Sequence, residues 1–266
     1  MDIQSMKLAY FSPTGTTRSI VQAIAHGIDI NAAEQIDVTR PDMRKKQLQT
    51  SKNDLLVVAV PVYIGRVPAL LTEWLNGIKA DRTPAVCIVV YGNRAYDDAL
   101  IELRNILIER GCIPIACAAY IGEHSYSGTE TPIAAARPDV NDIKHAELFG
   151  RKINEKLRTL SAVDYISDVK IPGSYPYRGD NKLWCVDFIE VSDECIQCGT
   201  CAELCPVGAI DSEESNLIDK GKCITCCACI KNCPQNARTM KPGPVKDAAM
   251  RLHNLYKERK EPVFYF

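Results

Sequence analysis

Apolar and polar positions over the first 160 residues follow two alternating periods. Lys7-Leu8-Ala9-Tyr10-Phe11 has the run of a buried strand, and Ile20, Val21, Ile24 and Ile28 recur at the spacing of one helix face. Further strand-like runs cover residues 35–38, 54–60, 85–91 and 113–121. The last three are almost continuously apolar, as a parallel sheet covered on both faces requires. Helical stretches fall at 67–75, 96–110 and 141–160, and Gly111 stands where a helix C-terminal glycine belongs. Five strands alternating with helices predict an α/β fold, an open doubly wound parallel sheet whose ligands sit at the carboxyl ends of the strands. The alternation then stops, and Ile171-Pro172-Gly173-Ser174-Tyr175-Pro176-Tyr177-Arg178-Gly179 reads as a turn-rich connector with tyrosines suited to packing on a surface. The expected organisation is a sheet domain over 1–162, a connector over 163–183, a small α+β domain over 184–240 beginning at Trp184, and a helix with an aromatic tail over 241–266. In the small domain Phe188-Ile189-Glu190-Val191 reads as a first short strand. The tail, Val263-Phe264-Tyr265-Phe266, is expected to dock, either bridging the domains or against a partner.

Composition narrows the class. A chain of 266 residues has room for about two domains with cores of their own. Its net charge of -1 gives no basis for a nucleic-acid surface. The longest apolar runs, near 55–64 and 113–121, are too short to cross a bilayer. Met1-Asp2-Ile3-Gln4-Ser5 carries neither a basic nor an apolar leader region, so a cytoplasmic location is expected. Thirteen cysteines then imply a reducing compartment, and oxygen-sensitive clusters would suggest an anaerobic host.

The cysteines carry the most specific signal. Cys195-x2-Cys198-x2-Cys201-x3-Cys205-Pro206 is followed by the same spacing at Cys223, Cys226, Cys229, Cys233 and Pro234. In this bacterial two-cluster pattern three close thiolates hold one [4Fe-4S] cluster and the fourth crosses to the other. The expected sets are Cys195, Cys198, Cys201 and Cys233 for one cluster, and Cys223, Cys226, Cys229 and Cys205 for the other. Structural zinc usually wants two well-separated cysteine pairs, and a disulfide framework would need export. Cys227 breaks the spacing on either side and reads as a spare thiol packed near the cluster. Cys87, Cys112 and Cys117 lie in or beside strands and read as core thiols, and Trp74 as helix-to-sheet packing. So small a domain buries little core, and cluster ligation is expected to supply much of its folding energy.

Ser12-Pro13-Thr14-Gly15-Thr16-Thr17 joins the first strand to the first helix. Its backbone N–H groups and hydroxyls can surround a dianion while the helix N-terminus adds favourable charge; alone, the loop reads equally well as helix capping. The loops after the third, fourth and fifth strands, beginning at Pro61, Tyr91 and Gly122, offer glycines for close backbone approach and tyrosines for stacking on a flat ring. Ser12-x-Thr14-Gly15-x-Thr17 matches the flavodoxin phosphate signature, and the later loops resemble flavodoxin's two isoalloxazine loops. The resemblance implies FMN, with Ser12, Thr14, Gly15, Thr16 and Thr17 at its phosphate. Around its ring it places Tyr63, Ile64, Gly65, Arg66, Tyr91, Gly92, Asn93, Arg94 and Tyr96, with Tyr63 or Tyr96 stacking. Arg66 and Arg94 depart from the usually acidic flavodoxin surroundings. Close to the ring, either would favour the anionic reduced flavin; solvated, neither would. His124, beside Glu123 and Ser125, stands where a proton donor could act or where a histidine could simply order the loop. No Gly-x-Gly-x-x-Gly occurs, so a dedicated NAD domain is not expected.

Over nearly its full length the chain resembles the flavodoxin and ferredoxin fusion proteins of anaerobes (the EFR-type family). Pro61-x-Tyr63-x-Gly65, Gly122-Glu123-His124-Ser125 and Pro172-Gly173-x-Tyr175-Pro176-Tyr177 carry the likeness, with Ile64 where that family would have glycine. The resemblance implies a flavodoxin-like five-stranded sheet followed by a ferredoxin-like two-cluster domain. Clusters pass single electrons and FMN holds one or two, so the expected function is electron transfer between two [4Fe-4S] clusters, FMN and a redox partner such as a ferredoxin, an oxidoreductase or a radical enzyme. The alternative is an FMN-dependent reductase of a quinone-like or unsaturated small molecule, with His124 or a tyrosine delivering the proton. A cavity with room for a second molecule over the ring would favour it. A structural or sensory cluster protein would leave the FMN loops unexplained.

Overall fold

The computed structural model describes residues 3–159, 169–179 and 185–266. Its elements run in chain order as β1 (Ser5–Tyr10), α1 (Thr16–Ile28), β2 (Ala33–Asp37), β3 (Gln49–Thr50), β4 (Asp54–Pro61), α2 (Thr72–Asn76), β5 (Lys79–Ala80), β6 (Thr83–Tyr91), α3 (Ala99–Glu109), β7 (Cys112–Ile121) and α4 (Val140–Thr159). There follow β8 (Ile189–Val191), α5 (Thr200–Glu203), α6 (Ala228–Lys231), β9 (Arg238–Met240), α7 (Pro244–Leu255) and β10 (Val263–Tyr265). The main sheet has the order β10-β7-β6-β4-β1-β2, while β3 and β5 form a small pair of their own. All neighbours from β2 to β7 are parallel. Numbered by their succession along the chain, those five strands stand in the order 2-1-3-4-5, the flavodoxin-like doubly wound order.

Both faces of this sheet are dry. On one, Ile20, Val21, Ile24 and Ile28 of α1 and Phe149 and Ile153 of α4 pack on Leu8, Tyr10, Val57, Ile88 and Tyr120. On the other, Trp74 and Leu75 of α2 and Leu100, Leu103 and Leu107 of α3 cover Leu56, Val58, Val60, Cys87 and Val89. Cys87, Cys112 and Cys117 are buried here. Helices α1 and α4 touch backbone to backbone, because a Cβ on Gly27 would lie 2.1 Å from the Glu147 carbonyl oxygen and one on Gly150 2.2 Å from that of Ile24.

Two helices are shorter than their apolar periodicity predicts. The stretch expected at 67–75 becomes a 3-10 turn, Ala69–Leu71, and the five-residue α2, confined between Pro68 and Gly77. The helix expected from residue 96 begins at Ala99, and the Asp98 carboxylate does not cap it. Those oxygens instead accept the Ser174 and Arg178 backbone N–H groups at 3.2 and 2.6 Å, pinning the connector to α3. Tyr177 reinforces the junction, accepting from Asn105 Nδ2 at 3.0 Å and lying under the Arg66 guanidinium, 5.0 Å from the ring centroid. The tyrosine-rich connector therefore packs on a surface, as its composition suggests. The expected helix end at Leu160 and domain start at Trp184 lie outside the described residues.

The small domain is closed by β8 antiparallel to β9, with an isolated bridge between Ile210 and Ile218. The aromatic tail docks as a sixth strand of the main sheet instead of bridging the two domains. β10 pairs antiparallel with β7, Val263 opposite Ala119 and Tyr265 opposite Cys117, and so covers an otherwise open apolar edge. Phe264 stacks on Phe149 with centroids 5.1 Å apart. No helix among the described residues is long and apolar enough to cross a membrane.

Candidate functional site: a cavity shared by two domains

The carboxyl ends of β1, β4, β6 and β7 open on one cavity of about 270 Å³. At one end lie Ser12, Thr14, Thr16 and Thr17. Gly15, at φ 87, turns the chain into α1, a conformation that costs glycine least. Ser12 Oγ accepts the Arg18 N–H at 3.0 Å, whereas the amides of Thr14, Thr16 and Thr17 find no partner among the described residues. The first turn of α1 holds no acidic side chain. Unpaired amides and hydroxyls at a helix N-terminus fit a phosphate dianion.

At the other end, Tyr63, Ile64, Gly65, Tyr91, Gly92 and Arg94 line the wall with His124 and Tyr126. Tyr63 and Arg66 exchange two backbone hydrogen bonds of 3.0 Å, closing a two-residue turn whose central residues, Ile64 and Gly65, have φ of 52° and 81°. A β-branched residue in that region is strained, and here the strain faces the cavity. Gly92 admits the His124 ring, since a Cβ there would lie 2.2 Å from its Cδ2.

Four of the expected flavin contacts fall outside the lining. Arg66 grips both oxygens of Glu102 at 2.8 and 2.7 Å, so neither a ring-facing nor a solvated arginine describes it. Asn93 donates through Nδ2 to the Tyr256 and Glu258 carbonyl oxygens at 2.8 and 2.9 Å, and Tyr96 meets Tyr265 OH at 3.0 Å. Both serve the C-terminal segment. Gly15 acts through its backbone turn alone. Arg94 does line the cavity, paired with Asp97.

Sequence reasoning missed the third wall. Ile224, Thr225 and Cys226 of the small domain and Ala248, Arg251 and Leu252 of α7 close the same cavity. Tyr126 OH donates to Thr225 Oγ1 at 3.2 Å, and Lys231 pairs with Glu123 at 2.5 Å. The available signal was the small-residue face of α7, where Ala248 and Ala249 permit close packing.

The cysteines separate into two further cavities. Cys195, Cys198, Cys201 and Cys233 surround one, and Cys205, Cys223, Cys226 and Cys229, with Cys227 as a fifth lining thiol, the other. In each, three thiols come from one motif and the fourth from the other. Soft thiolates gathered from both motifs suit an iron–sulfur cluster. Cys227 is buried beside them, its Sγ 3.7 Å from the Thr225 carbonyl oxygen.

Residues 188–240 match the family model of the 4Fe-4S dicluster domain. A ferredoxin of Megasphaera elsdenii is 50% identical over 28 residues, which are 10% of this chain and 52% of that protein, so the match spans about half of its length. A flavodoxin from the domain Archaea superposes with a TM-score of 0.41 at 14% identity, over 58% of this chain and 99% of that one. An NADH:FMN oxidoreductase in its apo form gives 0.42 at 16%, over 62% and 96%. The strand order, not these values, carries the fold. The chain joins a flavodoxin-like domain to a 4Fe-4S dicluster domain.

Within the flavodoxin-like domain, His124 is the residue whose chemistry the fold alters most. Burial lowers its pKa from 6.5 to about 4, with Lys231 and Arg94 acting in the same direction. The ring is neutral near pH 7, and its Nδ1 accepts the Tyr126 N–H at 3.0 Å, which leaves the proton on Nε2. So weakly basic a ring, packed edge-on to Tyr126, fits a loop-ordering role better than proton delivery. The unfolded chain takes up this proton below 6.5 and the folded one only below about 4, so stability is lost as pH falls through that window. His124→Gln is expected to flatten the acid dependence of the unfolding temperature between these limits. An unchanged slope would remove His124 from the account.

Proposed function

We propose that this chain is an electron-transfer protein in which FMN and two [4Fe-4S] clusters lie in adjoining cavities. The observation that carries the reading is Cys226, which lines the inner cysteine cavity and also walls the cavity holding the phosphate loop. When bound, the clusters would supply one-electron chemistry and FMN one- or two-electron chemistry. The chain's part is to position and enclose them. Ser12, Thr14, Thr16 and Thr17 would hold the phosphate. Tyr63, Gly65, Tyr91 and Gly92 would frame the ring, while Ala248, Arg251 and Leu252 roof the site and keep water and other proteins from it.

The cavity, about 270 Å³ and close to the lower end of the usual single-ligand range of about 300–1,000 Å³, is a site for one bound group. The side open to a partner is the outer cluster. Cys198 and Ile196 are exposed there, and from Phe188 to Asp219 the chain carries Glu and Asp but no Lys, Arg or His. A redox protein with a basic contact surface fits this face.

The test is anaerobic. With FMN and clusters reconstituted, the flavin absorbance is expected to bleach with reduced ferredoxin and to persist with NADH or NADPH. Rapid bleaching by a nicotinamide would replace the carrier with a reductase.

A further inference from the structure

The two cysteine cavities differ in one respect that bears on their redox order. Arg238 is 2% exposed and Ser215 1% exposed, and both line the cavity of Cys195, Cys198, Cys201 and Cys233. Arg238 Nη2 donates to the Ser215 carbonyl oxygen. Its Nη1 and the Ser215 hydroxyl are buried with no partner among the described residues. A buried cation with an unused N–H is costly to keep unless an acceptor stands before it. The other cavity is lined by Phe188, Ile189, Val207, Ile210, Ile218 and Ile224 beside its cysteines, with no charged side chain in the lining; Arg44 stands behind it, donating to the Pro206 carbonyl oxygen, and Arg238 acts on Cys229 only from beyond the wall.

We infer that Arg238 tunes the centre held by Cys195, Cys198, Cys201 and Cys233. Its Nη1–H and the Ser215 Oγ–H donate to the sulfur atoms there, and the centre accepts an electron at higher potential than its neighbour beside the flavin cavity. The inference rests on the two-cluster reading. Adding an electron makes a cluster more negative. A fixed cation and donors to sulfur stabilise that state, while an apolar, uncharged wall disfavours it. The first electron from a one-electron donor therefore rests at the outer centre, and the inner one is reduced in a separate, lower step. Arg238 acts on the centre directly in this scheme, anchored in β9 opposite Val191.

The experiment is a reductive titration of the anaerobically purified holoprotein followed by electron paramagnetic resonance, with iron and sulfide content measured on the same samples. The wild type is expected to show two separated waves. Arg238→Met should move the upper wave down by at least tenfold in the one-electron equilibrium, about 59 mV, with a smaller change in the lower one. Arg238→Lys should restore part of the shift, and Ser215→Ala should move the same wave less. If Arg238→Met loses iron, Arg238→Lys and Ser215→Ala decide by the same wave. Full iron with unmoved waves in these variants overturns the inference alone. A wild type holding iron for a single cluster overturns the two-cluster reading with it.

Discussion

Replacing Cys226 by Ala is expected to reduce the iron content from about eight to about four atoms per chain and to leave the flavin oxidised when a one-electron donor is supplied. Cys226 is the thiol common to the inner cysteine cavity and the cavity that begins at Ser12. Its loss removes a ligand and the shared wall at once. FMN should still bind, because Ser12, Thr14, Thr16 and Thr17 stand on the other domain and no bond from Cys226 holds them. Cys227→Ala is the control. That thiol lines the same cavity but lies outside the spacing, and its variant should retain full iron and flavin reduction. Equal iron in the Cys226 and wild-type proteins, or undiminished bleaching of the flavin, would refute the proposed adjacency. The assay is iron content and flavin absorbance on one anaerobic sample.

Arg137→Met is expected to destabilise the fold by about 3 kcal/mol, the lower end of the usual cost of removing one partner of a buried ion pair, because Asp142 keeps Arg259 at 3.7 Å and the Asp139 N–H at 2.9 Å. Asp142 is fully buried and Arg137 nearly so, with Nε 2.8 Å from Asp142 Oδ2 and a second bond from Nη2 to Oδ1. Arg137 Nη1 also donates to the Lys260 carbonyl oxygen at 2.6 Å, and the Arg137 carbonyl oxygen accepts the Glu123 N–H at 2.8 Å. The guanidinium thus ties the start of α4 to the segment leading into β10, while the Arg137 main chain holds the loop that carries His124. A fall in unfolding temperature of about 10 °C would correspond to such a loss in a chain of this size. The double variant Arg137→Met, Asp142→Leu should recover much of it, since no charge is then left buried. A loss below about 1 kcal/mol would mean that the pair acts like a surface one.

The fold itself was legible because burial writes a period into the chain. The apolar runs of β4, β6 and β7 and the helix face of Ile20, Val21, Ile24 and Ile28 are what two-sided coverage of a parallel sheet demands, and the structure buries them accordingly. Where helices fell short, the cause was a competing use for one residue. Asp98 binds the connector instead of capping α3. The tail was legible as a docking segment but not as a strand, because its register is set by β7, more than a hundred residues earlier in the chain.

For the site, the division follows the range of the interactions. Cysteine spacing and the Ser12-to-Thr17 loop are local, so their chemistry could be read from types and intervals. The diversion of Arg66 to Glu102 and Asn93 to the C-terminal segment depends on partners brought near only by folding. So does the placing of Cys226 and Arg251 in the wall of a cavity that begins at Ser12. The sequence by itself determined the cysteine intervals and the hydroxyl-rich loop. Tertiary packing decided how close they stand and which of the two cysteine cavities receives the buried charge of Arg238, because burial and unpaired donors exist only once distant segments meet.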